Sequence, residues 1–204
     1  MFTKKELDIL DLFRKNLFLD PTIREIMKQI GTKSYNWTYH AVLKLAKENI
    51  LTLTRKGNSQ ICTINWENQK TITYLSLLEE NTTLNMKIPH LETLLGLMPK
   101  AFHILLITGS YATKTFTKNS DLDVVVIIEE KEEKKWLQNT LSNKGELLTP
   151  QIHPYVFTRE EFFEMLVNKE LNYGKEIAKK HLIITGAEMY FKIMREAMDH
   201  GYKN

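Results

Sequence analysis

The chain has 204 residues, 43% of them apolar and 26% charged. These are the proportions of an ordinary globular protein rather than a disordered one, with room for one large or two small domains. A net charge of +3 permits a polyanionic partner without demanding one, and the single cysteine, Cys62, excludes an internal disulfide framework and fits a reducing compartment. The opening "MFTKKELDILDLF" lacks the continuous apolar core of a signal peptide, and no later run is long enough to span a membrane. The expectation is a cytoplasmic protein with no membrane partner.

Residues 1–64 carry three helical patterns and then a hairpin. In "KKELDILDLFRKNLF", Leu7, Leu10, Phe13 and Leu17 recur every three or four residues, the stripe of an amphipathic helix. Pro21 stands where the first position of a second helix, "PTIREIMKQIG", would put it, and Gly31 closes that helix. A third runs from about Ser34 to Glu48, with Val42 and Leu45 facing inward. "ILTLTRKGNSQICTINW" then alternates apolar and polar residues on either side of Lys56-Gly57-Asn58-Ser59, which is hairpin chemistry. Three helices and a hairpin in this order resemble a winged helix-turn-helix domain. That resemblance implies a third helix entering a major groove with Lys33, Asn36, Tyr39 and His40 exposed, and Arg55 and Lys56 on the wing meeting the phosphates of DNA or RNA. The alternative is a three-helix packing module whose charges are merely solvated and whose Trp37 packs against its neighbours.

Residues 65–100 read as a helical connector. "TITYLSLLEE" supplies one helix, and "HLETLLGLM" after Pro89 supplies another that ends at Pro99, with His90 early in it. Residues 101–204 read as strands alternating with helices. Strand "HILLIT" leads into a Gly-Ser turn and is followed by strand "LDVVVII", the charged helix "EEKEEKKWLQNTLSN" and strand "QIHPYVFT". Thr158 is placed to cap a helix at "REEFFEML"; strand "HLIIT" ends at Gly186 before a last helix, "AEMYFKIMREAM". The fold class expected is α+β or α/β, with a small mixed sheet and helices on one of its faces.

The stretch "GSYATKTFTKNSDLDVVVI", Gly109–Ile127, carries the chemistry. Alternate residues of a strand point the same way, so Asp121 and Asp123 project together and repel unless a cation sits between them, and hard divalent ions prefer such oxygens. Gly109 lets the backbone approach a bulky anion, and a helix starting near Ser110 turns its N–H groups toward it. Phosphates with Mg²⁺, or Mn²⁺, satisfy both halves.

Gly-Ser-Tyr-Ala followed by Ser-Asp-Leu-Asp and an apolar strand resembles the DNA polymerase β-like nucleotidyltransferase superfamily, and more closely its minimal nucleotidyltransferases, over roughly residues 85–200. The preceding winged helix is similar to an archaeal-type arrangement of the two domains. The resemblance implies that Gly109 and Ser110 hold the β- and γ-phosphates of a nucleoside triphosphate. It implies equally that Asp121 and Asp123 ligate metals for an in-line displacement releasing pyrophosphate. Lys114 and Lys118 in the intervening loop would neutralise phosphate charge, although Lys114 stands where relatives usually have glycine.

The departure from the family lies in the third carboxylate, which relatives carry on the next core strand. Here "QIHPYVFT" has no acid: Gln151 takes the position as a weak metal ligand that cannot act as a base, and His153, two residues on and on the same face, can. Glu146 is the nearest upstream acid, behind the turn-like "GELLTP". Two functions follow. One is metal-dependent transfer of a nucleoside monophosphate to a protein, RNA or small-molecule hydroxyl, a protein acceptor being the kind that antitoxin-like minimal relatives modify. The other is a catalytically weak or inactive nucleotide-binding transcriptional regulator, whose second domain senses nucleotide or forms a homodimer.

Overall fold

The computed structural model describes residues 2–203. Among them ten helices and two sheets divide between two compact units, Met1–Leu78 and Glu79–Asn204.

In the first unit α1 (Lys4–Lys15), α2 (Ile23–Gln29) and α3 (Tyr35–Lys47) precede the antiparallel pair β1 (Leu51–Lys56) and β2 (Ser59–Ile64). Each helix begins on a hydroxyl that accepts an otherwise orphan N–H. Thr3 and Thr22 do so in capping boxes closed by Glu6 and Glu25, and Ser34 accepts from Trp37 N–H. The second helix therefore starts two residues later than Pro21 suggests, because the reciprocal Thr22–Glu25 bonds make Thr22 the cap and Ile23 the first helical residue. The Pro21 carbonyl instead accepts Cys62 N–H at 2.9 Å and ties the chain to the hairpin. Gly31 does close α2: at φ +70° it lets its own N–H reach Lys28 O and the Thr32 N–H reach Met27 O, a Schellman ending.

The inward stripe of α1 is Glu6, Ile9, Leu10 and Phe13, which keeps Leu10 and Phe13 of the one the spacing suggests and replaces Leu7 and Leu17. Leu7 is only half-buried and Leu17 lies beyond the Asn16 cap, while Glu6 is drawn in by an ion pair of 2.9 Å with Lys44 of α3. Ile9, Phe13, Ile26, Val42, Leu45 and Ile50 are fully buried, each contributing about 1.5–3 kcal/mol of transfer free energy. Cys62 lies in the same core, and burial pushes its thiol up to about 11, which makes it a packing residue rather than a nucleophile.

Helix α4 (Gln69–Leu84) runs across the division between the units. The second unit continues with α5 (Leu91–Leu97), β3 (His103–Ile107), α6 (Gly109–Thr113), β4 (Leu122–Ile128), α7 (Lys131–Gly145) and β5 (Ile152–Thr158). It ends with α8 (Arg159–Val167), α9 (Tyr173–Lys179), β6 (Leu182–Thr185) and α10 (Ala187–Asp199). His90 is the residue before α5, at φ +57°, with its Nε2 3.0 Å from the Thr149 carbonyl. Thr158 caps α8 in a capping box with Glu161, and α9 is a helix that the sequence pattern did not suggest.

The sheet order is β5-β4-β3-β6, with β3 antiparallel to both neighbours and β4 parallel to β5: a mixed sheet in an α+β unit. Helices cover both faces, not one. Leu105, Ile107, Leu122, Val124 and Val126 pack with Leu94, Leu137 and Leu141 of α5 and α7. The alternate residues Ile104, Leu106, Val125, Ile127 and Ile183 are just as buried, on the side where α8 and α10 meet the strands. Central strands that are apolar at every position, such as "VVVII", are what a doubly covered sheet requires. The Thr83 hydroxyl at the end of α4 donates to the Ile183 carbonyl at 2.7 Å and ties that helix to β6.

Candidate active site

The site is built where β3 stops. Thr108 N–H donates to the Asp123 carbonyl at 3.0 Å, holding the Gly109-Ser110 turn against the start of β4. Gly109 sits at φ +63°, and a Cβ there would overlap Asp123 Oδ2. Only glycine allows this turn and this aspartate to share the space. Gly109→Ala is expected to cost about 1–2 kcal/mol in the left-handed backbone alone and to displace the Asp123 carboxylate. Scanning calorimetry reads the cost as a lowered Tm.

Asp121 and Asp123 do converge. The parallel register sets His153 beside Asp123, with His153 Nδ1 4.0 Å from Asp123 Oδ1 and Nε2 3.7 Å from Asp121 Oδ2. His153 is thus the β5 side chain that faces both carboxylates. Gln151 lies two residues earlier, just before β5, and is exposed; its carbonyl accepts Leu122 N–H at 2.8 Å, and with Glu146, Ser142 and His153 it lines a separate hollow of about 470 Å³.

Burial holds the Asp123 carboxyl above the usual carboxylate range; His153 opposes the shift and Asp121 adds to it. An acid whose pKa is raised by folding destabilises the fold when ionised, and that deficit vanishes once pH falls below the ordinary carboxylate value. Asp123→Asn is therefore expected to raise the Tm of the ligand-free protein at neutral pH and to lose the advantage below about pH 4. A pH series of thermal melts against the wild type checks the sign.

Beside the pair opens a cleft of about 640 Å³, lined by Thr108, Gly109, Ser110 and Asp123 on one side and by Tyr155, Tyr173, Lys179 and Lys180 on the other. The Tyr173 hydroxyl lies 3.1 Å from Thr108 Oγ1, and its ring tilts against Tyr155 with centroids 4.8 Å apart. Burial pushes the Tyr173 phenol up, opposed by the Thr108 hydrogen bond. The two tyrosines and two lysines were not found from the sequence. The available signal was Asn172, which caps α9 through Lys175 N–H ahead of "YGKEIAKK".

Lys114 and Lys118 are exposed on the loop between α6 and β4 and do not line that cleft. Lys114 adopts φ +59°, a left-handed conformation that glycine takes at no steric cost. In the first unit Lys33, Asn36, His40, Arg55 and Lys56 are exposed, and Tyr39 is half-buried with its ring stacked on Tyr35.

Among the described residues no group of three or more His, Cys, Asp or Glu side chains is arranged to hold a metal ion, and no helix is long and apolar enough to cross a membrane. No curated protein and no solved structure matches the chain. Residues 105–186, which run from β3 through the aspartate pair to the end of β6, match the family model of the nucleotidyltransferase domain, and that match supports the nucleotidyltransferase superfamily for this part of the chain.

Proposed function

We propose that the second unit transfers a nucleoside monophosphate from a nucleoside triphosphate to a hydroxyl of a protein, an RNA or a small molecule, with Mg²⁺ or Mn²⁺ as cofactor. The observation that carries the reading is the convergence of Asp121 and Asp123 against the Gly109-Ser110 turn at the edge of the lysine-lined cleft. The donor set fits a hard divalent cation. Two carboxylates approach one imidazole, and paired carboxylate oxygens are ligands that such an ion prefers. Bound there, the cation would neutralise phosphate charge and stabilise the departing pyrophosphate.

The chain's own residues do the rest. Gly109 brings backbone close to the phosphates, Ser110 offers its hydroxyl, and Lys179 and Lys180 supply positive charge from the far wall. Tyr155 and Tyr173 line the cleft with aromatic surface against which a base would pack. His153, within 4.0 Å of both aspartates, would take the proton from the acceptor hydroxyl. Lys179→Ala with Lys180→Ala is expected to raise KM for the triphosphate more than it lowers kcat, since ground-state charge pairing is what the two lysines provide.

The first unit is read as a winged-helix-like module that binds nucleic acid through α3 and the hairpin, recruiting an acceptor or regulating transcription. A second reading, a weak or inactive nucleotide-binding regulator, is favoured by one feature: an imidazole rather than a third carboxylate stands beside Asp123. Incubation with each labelled triphosphate and Mg²⁺ or Mn²⁺, with and without cell extract, separates them. Label transfer with pyrophosphate release supports the enzyme, binding without turnover supports the regulator, and no binding of any triphosphate overturns both.

A further inference from the structure

The first unit carries more positive charge than the chain as a whole. Residues 1–78 hold twelve Lys and Arg against seven Asp and Glu, a net +5, while the remainder of the chain is at −2. On this unit a groove of about 510 Å³ runs between the start of α2, the first turns of α3 and the tip of the hairpin. One wall is aromatic. Tyr35 and Tyr39, four apart and so on one side of α3, lie nearly parallel with an interplanar angle of 22° and centroids 6.3 Å apart. Tyr35 is 47% exposed, a high value for a tyrosine on a folded helix. Arg24 and Arg55 also line the groove, Arg55 steadied by a 3.2 Å hydrogen bond from Nε to the Gly57 carbonyl, and Asn58 and Gln60 bring amide groups to it.

We propose that this groove binds single-stranded nucleic acid, with an unstacked base on Tyr35, flanking phosphates at Arg24 and Arg55, and base edges at Asn58 and Gln60. The inference rests on the nucleic-acid reading of the first unit and says which form it takes. A ring face at the wall of a groove rewards a base whose own face is open. Within a duplex both faces of every base are covered by its neighbours, so the aromatic wall gains nothing there beyond contact area. A basic groove with aromatic platforms is the general device for gripping a strand without reading its sequence, and arginines add the salt-sensitive phosphate term.

The test is fluorescence anisotropy of the full-length protein with short labelled single strands of DNA and RNA and with the matching duplex, over a range of salt. The expected result is tighter binding of a single strand than of the duplex. Tyr35→Ala is expected to weaken single-strand binding about tenfold or more, the loss of one base stack, while Tyr35→Phe keeps it. Arg24→Ala and Arg55→Ala are each expected to reduce the salt slope by about one. Equal or tighter duplex binding, or unchanged single-strand affinity in Tyr35→Ala, overturns this proposal and leaves the nucleic-acid reading of the unit standing. Absence of salt-sensitive binding to any strand overturns both. Tyr35 is exposed, so its variants are expected to fold, and circular dichroism confirms that in the same samples.

Discussion

The double variant Asp121→Asn, Asp123→Asn is expected to lose Mg²⁺-dependent triphosphate binding and to lower nucleotidyl transfer by at least about 10³-fold, the equivalent of several kcal/mol of transition-state charge stabilisation. The fold should survive. Both side chains are partly exposed, Asp121 at 42% and Asp123 at 30%, and asparagine preserves their shape while removing the repulsion between them. Isothermal calorimetry with a triphosphate and Mg²⁺ gives the affinity, and a thermal melt run alongside shows whether the protein stayed folded. Unchanged affinity in a folded double variant would remove the metal pair from the site.

The second large effect is expected at His153. The imidazole is the β5 side chain within reach of both carboxylates, so His153→Ala is expected to lower the transfer rate by about 10²–10⁴-fold, the usual worth of a general base. Gln151→Glu tests the other candidate for the missing acid. If Gln151 faces the bound metal, the new carboxylate strengthens metal binding and raises transfer. If its side chain stays in the hollow beside Glu146 and Ser142, transfer changes little. The two variants assayed together assign the role: a large loss at His153 with a flat response at Gln151 places it on the imidazole, and the reverse places it on the glutamine.

The strands of the second unit and the cap that starts α8 could be read from the sequence because each is a local effect. "ILLI" and "VVVII" are apolar at every position, and Thr158 is a hydroxyl with Glu161 three places on. The same-face placement of Asp121 and Asp123 follows from the two-residue period of a strand, and their common reach to one imidazole agrees with it. Where two local signals competed, the stronger set of hydrogen bonds won, as when the Thr22 capping box moved the start of α2 past Pro21. Which β5 residue faces the aspartates was decided only by tertiary structure, because it depends on the parallel register of β4 and β5, and no local pattern encodes a register between strands separated by a helix. The cleft's far wall is of the same kind. Tyr173 and Lys179 are the two ends of a seven-residue helix too short to show a clear period, with Lys180 its C-cap, and they line one cleft with the Gly109-Ser110 turn only because the chain folds back over the sheet. Helices on both faces were missed for a related reason: an all-apolar strand says that both faces are covered, but only packing shows which helix lies where.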